Sequence, residues 1–188
     1  MTIRAADIPV LETERLRLRG FRADDFDGFV SIYGDGEHAR FVGGPKSRHD
    51  CWQKLQALAG HWQLFGWGRF AIEDKITGEF LGHCGPAVVT HGSAPEMNYA
   101  LTAKAGGKGY ATEAVGRALT YAYRDMGWKT AVSMIDPRNA ASQRVAERLG
   151  AVLEQSGIEM DDGRVDAWRY PAPEIFLRRF EAQVEEYS

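Results

Sequence analysis

Three glycines fall within four residues in the stretch Ala105-Gly106-Gly107-Lys108-Gly109-Tyr110-Ala111-Thr112. Glycine permits backbone angles and close approaches that a Cβ would block. The stretch lies between a segment with strand character, Glu96 to Leu101, and one with helical periodicity, about Thr112 to Met126. At such a junction the free N–H groups of the first helical turn point together, and the helix dipole adds positive potential. The product is a cradle for phosphate. A flexible connection without a ligand fits the glycines equally well. Other phosphate patterns are excluded. Gly109 is followed by Tyr110-Ala111, not Lys-Ser or Lys-Thr, so this is no Walker A loop. A G-x-G-x-x-G fingerprint fails because Gly107-x-Gly109 leads to Thr112.

The other reactive side chains form no comparable pattern. Cys84 sits in an expected inner strand, so it reads as a small core residue and not a nucleophile. The five histidines, His38, His49, His61, His83 and His91, lack metal-ligand spacing, so no metal is expected. Two cysteines, Cys51 and Cys84, make neither a disulfide framework nor a four-ligand zinc site.

The elements that must position the loop follow from periodicity. Arg15 to Arg19 alternates with period two and predicts a strand. Asp24 and Asp25 precede Phe26, Phe29, Val30 and Tyr33, the spacing of an amphipathic helix with acids in its first turn. A loop through Gly43-Gly44-Pro45 leads to a second helix from about Arg48 to Phe65, with Trp52, Leu55, Leu58, Trp62 and Phe65 on one side. Strands at Arg69 to Glu73 and Phe80 to Val89 flank a hairpin turn at Asp74 to Glu79. A turn at His91 to Pro95 leads to the strand Glu96 to Leu101. Beyond the Gly-rich loop the order becomes helix, strand (Ala131 to Ile135), helix (Asn139 to Leu149, closed by Gly150) and hairpin (Val152 to Ile158 and Val165 to Tyr170). A terminal helix is predicted from Glu174 to Tyr187. The expected fold is α+β in three layers, with a mixed, mostly antiparallel, twisted sheet of about seven strands and helices on both faces.

Three stretches carry a resemblance to a known family. They are "LETERLRLR" at Leu11–Arg19, "GKGYATEA" at Gly107–Ala114 and "NAASQRVAERLGA" at Asn139–Ala151. In this order and spacing they resemble the Gcn5-related N-acetyltransferases, and more narrowly the branch containing the bacterial ribosomal-protein N-terminal acetyltransferases. The likeness runs from Leu11 to about Pro171. It implies the acyl-CoA N-acetyltransferase fold, with the sheet splayed between the Glu96–Leu101 and Ala131–Ile135 strands and acetyl-CoA in the gap. Carried over, the loop from Gly106 through Gly107, Lys108, Gly109, Tyr110 and Ala111 to Thr112 would hold the pyrophosphate. The backbone around Leu101 would pair with the pantetheine arm and polarise the thioester carbonyl, and Asn139 would contact that arm on its other side.

The same resemblance implies direct attack by an amine in a ternary complex. Glu96 matches the carboxylate that takes the amine proton, and Ser142 the position suited to protonating the leaving thiolate. A strand-end surface acid and a helix serine bonded to its own backbone are the plainer readings of these two. Two positions depart from the branch pattern. Gly106 stands where an aromatic residue is usual and is expected to loosen the loop. Asn98 stands where glycine is frequent and is expected to alter a bulge. Lys104, Lys108, Arg138 and Arg144 are candidates for the CoA phosphates. Asp35, Glu37, Asp161, Asp162 and Asp166 are expected to form an acidic entrance for a cationic amine or peptide N-terminus.

Composition bounds the rest. The chain has 188 residues, 44% hydrophobic and 26% charged, which suits one globular domain over residues 1–188, with a family-like core at 11–171 and a helical extension at 172–188. Net charge is −3, which argues against a nucleic-acid partner. No apolar run spans a bilayer and the first residues lack a secretory h-region, so a cytoplasmic placement with no membrane partner is expected. The acceptor is expected to be a peptide N-terminus or a small amine, and the chain a monomer or homodimer. The alternative to an enzyme is a catalytically silent acyl-CoA-binding sensor or assembly module.

Overall fold

The computed structural model describes residues 8–87, 95–160 and 163–185. The expected turn at His91 to Pro95 and the hairpin tip at Asp161-Asp162 fall largely outside them. Among the described residues the sheet has eight strands. These are β1 (Leu11–Glu12), β2 (Leu16–Arg19), β3 (Phe70–Asp74), β4 (Phe80–Ala87), β5 (Glu96–Leu101), β6 (Val132–Ile135), β7 (Val152–Met160) and β8 (Gly163–Arg169). Their order is β1-β2-β3-β4-β5-β6-β8-β7. The count exceeds the expected seven through β1, a two-residue edge paired Leu11↔Leu18 and Glu12↔Arg17. Every neighbouring pair is antiparallel except β5 with β6.

That exception makes the site. Parallel neighbours need a crossover, here helix α4 (Tyr110–Arg124). β5 and β6 share a single register position, Glu96↔Val132, with the Val132 amide donating to the Pro95 carbonyl at 2.9 Å. Past that point the strands are unpaired, so the sheet is open where the Gly-rich loop begins. β4 and β5, by contrast, pair without a break from Gly82↔Leu101 to Ala87↔Glu96. Asn98 therefore introduces no bulge. The register shift on this side lies between Ile72 and Glu73 in β3.

Helices α1 (Phe26–Tyr33), α2 (Gly36–Ala39) and α3 (Arg48–Phe65) come before β3. Phe29, Ile32 and Tyr33 of α1 join Cys51 and Leu55 of α3 and Ala100 of β5 in one buried cluster. In α3 the inward stripe is Cys51, Leu55 and Trp62, while Trp52 and Phe65 are 37% and 57% exposed. The expected stripe was thus one helical step too wide. Ser47 and Asp50 close a capping box at its start, and Gly66 ends it in the left-handed region at φ 73°. The short α2 stands in the expected loop, capped by Asp35, whose carboxylate accepts from the Glu37 and His38 amides.

On the other face, α4 buries Ala114, Val115, Ala118, Leu119 and Ala122. It begins two residues before the expected Thr112 because Gly109, at φ 81°, takes the N-cap position. Helix α5 (Ala140–Arg148) follows β6, capped by the Asn139 side chain on the Ser142 amide at 3.1 Å. Helix α6 (Pro173–Glu185) packs on its own chain. The Phe176 ring lies 5.7 Å from Tyr123, and a Cβ added at Gly116 would sit 2.4 Å from the Phe180 ring.

A buried ionic knot joins β2, β3 and the turn before α1. The Arg19 guanidinium donates to both Asp25 oxygens, at 2.9 and 2.8 Å, and to Glu73 at 2.5 Å. Arg17 and Arg22 also reach Glu73, at 3.0 and 3.2 Å. His83 is fully buried, stacked on Phe29 and bonded to the Tyr33 hydroxyl at 2.7 Å, so its place is structural. Cys84 is buried in the core, and burial pushes its thiol far above the usual range.

Candidate active site

A groove of about 610 Å³ runs between the open end of β5, the Gly-rich loop and α5. Of the expected cofactor residues, Leu101, Gly106, Gly107, Gly109, Tyr110, Ala111, Thr112 and Asn139 line it. Lys108 does not line it, and its carbonyl is held from outside by Arg15 at 3.0 Å. Gly107 and Gly109 sit at φ 75° and 81°, where a side chain is strained. Gly106 lies at φ −63° and ψ 147°, which any residue adopts, and its amide donates to the Ala103 carbonyl at 3.1 Å. Its substitution for an aromatic residue leaves the turn closed. The amides of Tyr110, Ala111 and Thr112 form the first turn of α4 and have no intrahelical acceptor.

Two residues lining this groove, Thr102 and Thr112, carry buried hydroxyl oxygens with no hydrogen-bond partner among the described residues. Leaving such groups unmet costs free energy that a polar ligand removes. Left-handed glycines, first-turn amides and orphaned hydroxyls together fit an anionic ligand with a polar arm. Of the expected phosphate cations, Arg144 lines the groove, joined by Arg148. Lys104 is turned to Glu79 at 3.7 Å, and Arg138 is taken by Asp136 at 2.7 Å. The Leu101 carbonyl, expected to meet the pantetheine arm, accepts from His38 Nε2 at 2.7 Å.

The loop is strapped to the start of the chain. Glu113 in the first turn of α4 accepts from the Thr13 hydroxyl at 2.6 Å, the Arg15 amide at 3.0 Å and Arg15 Nε at 2.7 Å. The Arg15 guanidinium also lies 4.6 Å over the Tyr110 ring. The Tyr110 side chain therefore packs against Arg15. Substitution Glu113→Ala is expected to raise the acetyl-CoA Kd by about 5- to 30-fold, the loss of one or two charge-assisted hydrogen bonds. Calorimetric titration checks this, with thermal melting to show that the fold persists.

A second cavity of about 580 Å³ continues from the first, and Arg40, Phe41, Val42, Tyr99, Asn139 and Ser142 line both. The two expected catalytic residues meet here in different ways. Ser142 lies at the junction, where its hydroxyl accepts from Tyr99 Oη at 2.9 Å and is not turned to its own helix. Glu96 lines only the second cavity. Burial raises its pKa, while the Asn98 amide, donating at 3.0 Å, and the charge of Arg69 act the other way. Burial likewise raises the Tyr99 phenol, so it stays protonated near neutral pH.

Among the described residues, those expected to form an acidic entrance do not line the second cavity. Five cations, Arg40, Lys46, Lys54, Arg69 and Arg164, and two acids, Glu96 and Asp136, line the second cavity. Asp35 and Glu37 lie on the first groove, Asp166 accepts from the Gly157 amide at 2.9 Å, and Asp161 and Asp162 lie outside the described residues. Sequence reasoning also missed Tyr99 and Arg69. Period-two alternation along β5 was the available signal for Tyr99, since it places Tyr99 on the face of Leu101 and opposite that of Glu96.

The chain matches known proteins over most of its length. The family model described as an acetyltransferase (GNAT) domain matches residues 15–152. An uncharacterized Bacillus subtilis protein, YkkB, is 32% identical over 143 residues, covering 74% of this chain and 83% of its own length. The crystal structure of an acetyltransferase from Agrobacterium tumefaciens is 31% identical with a TM-score of 0.77, covering 88% of this chain and 95% of that one. The fold is shared with the ribosomal-protein-S5-alanine acetyltransferase of Vibrio fischeri, at 20% identity and a TM-score of 0.66, covering 86% of this chain and 94% of that one.

Proposed function

Since the chain belongs to the acetyltransferase (GNAT) family, we propose that it transfers an acetyl group from acetyl-CoA to a primary amine, by direct attack while both substrates are bound. The observation that carries this reading is the pair of cavities that meet at Tyr99, Asn139 and Ser142. One has the lining of a cofactor groove, and the other holds the half-buried carboxylate of Glu96.

When bound, the thioester supplies the activated acetyl group and a sulfur leaving group. The amides of Gly107 and of Gly109 to Thr112 hold the pyrophosphate, and Asn139 and the β5 backbone near Leu101 flank the arm. Glu96 takes the proton of the attacking amine, directly or through water, as its carboxylate. The N–C bond forms and the C–S bond breaks. Ser142 donates its proton to the departing sulfur, the Tyr99 hydroxyl behind it supplies a replacement, and Tyr99 regains its proton from solvent in the open groove. A thiolate with a pKa near about 8.5 needs only weak acid assistance, which suits a hydroxyl pair.

Titration with acetyl-CoA, CoA and ATP, followed by assay of CoA release with an amine panel, tests the reading. Saturable binding of acetyl-CoA in preference to ATP, with amine-dependent release, is expected. Binding without release across the panel would establish the silent-sensor alternative instead. Asn98 supplies a finer check. Its amide stabilises the charged form of Glu96, so Asn98→Ala is expected to raise the carboxyl pKa further. Because the base works deprotonated, the acid limb of kcat/KM should move to higher pH. A pH profile of the variant measures it, and a limb that stays in place removes Asn98 from that role.

A further inference from the structure

We propose that the acceptor carries an oxyanion, a carboxylate or phosphate, beside its amine, and that Arg69 binds it. The inference rests on the acetyl-transfer reading above and assigns the substrate class of the same site.

The argument begins with the charges of the second cavity. Arg40 is held by Glu37 at 2.5 Å and Arg164 by Glu159 at 2.7 Å. Of the acids, Asp136 is engaged in a two-point pair with Arg138 at 3.0 and 2.7 Å. Arg69 has no hydrogen bond or ion pair from its guanidinium among the described residues. Lys46 reaches the Gly43 carbonyl at 3.2 Å. The remaining carboxylate, Glu96, is bonded to Asn98 and not to Arg69.

Arg69 is built into its place. It precedes β3 by one residue, and its carbonyl accepts from Trp62 Nε1 at 2.7 Å. Gly85 of β4 lets the two backbones approach so closely that a Cβ there would lie 3.2 Å from the Arg69 Cα. Burial works against its charge, and Tyr33 and Glu96 favour it. The Arg69 side chain is partly buried, and a partly desolvated guanidinium gains from an anion brought against it. Its planar fork matches a carboxylate or phosphate in two-point geometry. A bound oxyanion satisfies Arg69 while the amine of the same molecule faces Glu96 across the cavity. It also neutralises the positive charge that stabilises the Glu96 carboxylate, so Glu96 becomes a stronger base once the acceptor is seated.

Matched acceptors test this in the unmodified protein. Serine and lysine are compared with serinamide and lysinamide, with O-phosphoethanolamine and spermidine alongside. CoA release is followed with acetyl-CoA, and acceptor binding by calorimetry in the presence of CoA. The acids should exceed the amides by about 10- to 100-fold in kcat/KM, the worth of a charged hydrogen-bonding pair. Arg69→Gln should abolish that preference and move the acid limb of kcat/KM to higher pH. Use of phosphoethanolamine but not the amino acids would assign the oxyanion to phosphate. Turnover of amides or spermidine without preference for the acids would overturn the inference and leave acetyl transfer standing. Calorimetric binding of the acids but not the amides, without turnover of any amine, would overturn acetyl transfer and support the anion site. Neither binding nor turnover would overturn both.

Discussion

Substitution Glu96→Gln is expected to slow acetyl transfer by about 10²–10⁴-fold, the usual worth of a positioned general base. Acetyl-CoA affinity should be unchanged, because Glu96 lines the second cavity and not the cofactor groove. The change is close to isosteric, and the amide oxygen still accepts from Asn98, so the strand should hold its shape. The pH profile separates a catalytic from a structural role. Burial raises the pKa of Glu96, and the proton must be absent for it to act as a base. The wild-type rate therefore falls as pH drops through that raised value, and the acid limb should vanish with Glu96→Gln. A variant that keeps the wild-type profile at a similar rate would remove Glu96 from the role.

The largest effect on stability is expected at Arg19. Removing it by Arg19→Met takes the only ion-pair partner described for Asp25 and leaves Glu73 to Arg17 and Arg22, the two carboxylates being 2% and 4% exposed. Breaking a buried ionic cluster by deleting one partner costs about 3–5 kcal/mol, because the charges left behind remain out of water. Urea denaturation measures this directly. Acid dependence adds a second readout. Burial raises the Glu73 pKa, but Arg19, Arg17 and Arg22 outweigh it and hold the carboxyl below its usual range. A carboxyl depressed in the folded state contributes stability that is complete above its unfolded pKa. That stability is lost as pH falls through the folded value. The wild type should therefore lose stability below about pH 4.3, near the unfolded glutamate pKa, and Arg19→Met should show a shallower decline. A loss under about 1 kcal/mol would mean that this cluster is no stronger than an ordinary surface pair.

The parts of the site that were legible in the sequence are those whose chemistry is local. The cradle could be read because the glycines of a left-handed turn are themselves the signal, and Gly107 and Gly109 occupy that region. β5 was placed to the residue because its turn signals and alternation are consecutive. Helix α2 was missed because four residues are too few to show a period. Tyr99 was missed because its partner, Ser142, lies 43 residues away and only the fold brings them to 2.9 Å. Of the expected acidic entrance, Asp35 and Glu37 line the first groove and not the second, and Asp161 and Asp162 lie outside the described residues. Some of its carboxylates serve the backbone, as Asp35 does in capping α2 and Asp166 in holding the Gly157 amide. The cations that do line the cavity come from positions 40, 46, 54, 69 and 164, too scattered to register as a charge run.

The strap from Thr13 and Arg15 to Glu113 also bears on inheritance. Residues about a hundred positions apart share one carboxylate, so no member of the set changes alone without leaving the others unmatched. Substitutions there should be epistatic: loss of Arg15 after loss of Glu113 should cost far less than loss of Arg15 first. Lineages that drift at one motif are expected to drift at the other. The opening strand and the cofactor loop would then descend as a single inherited unit.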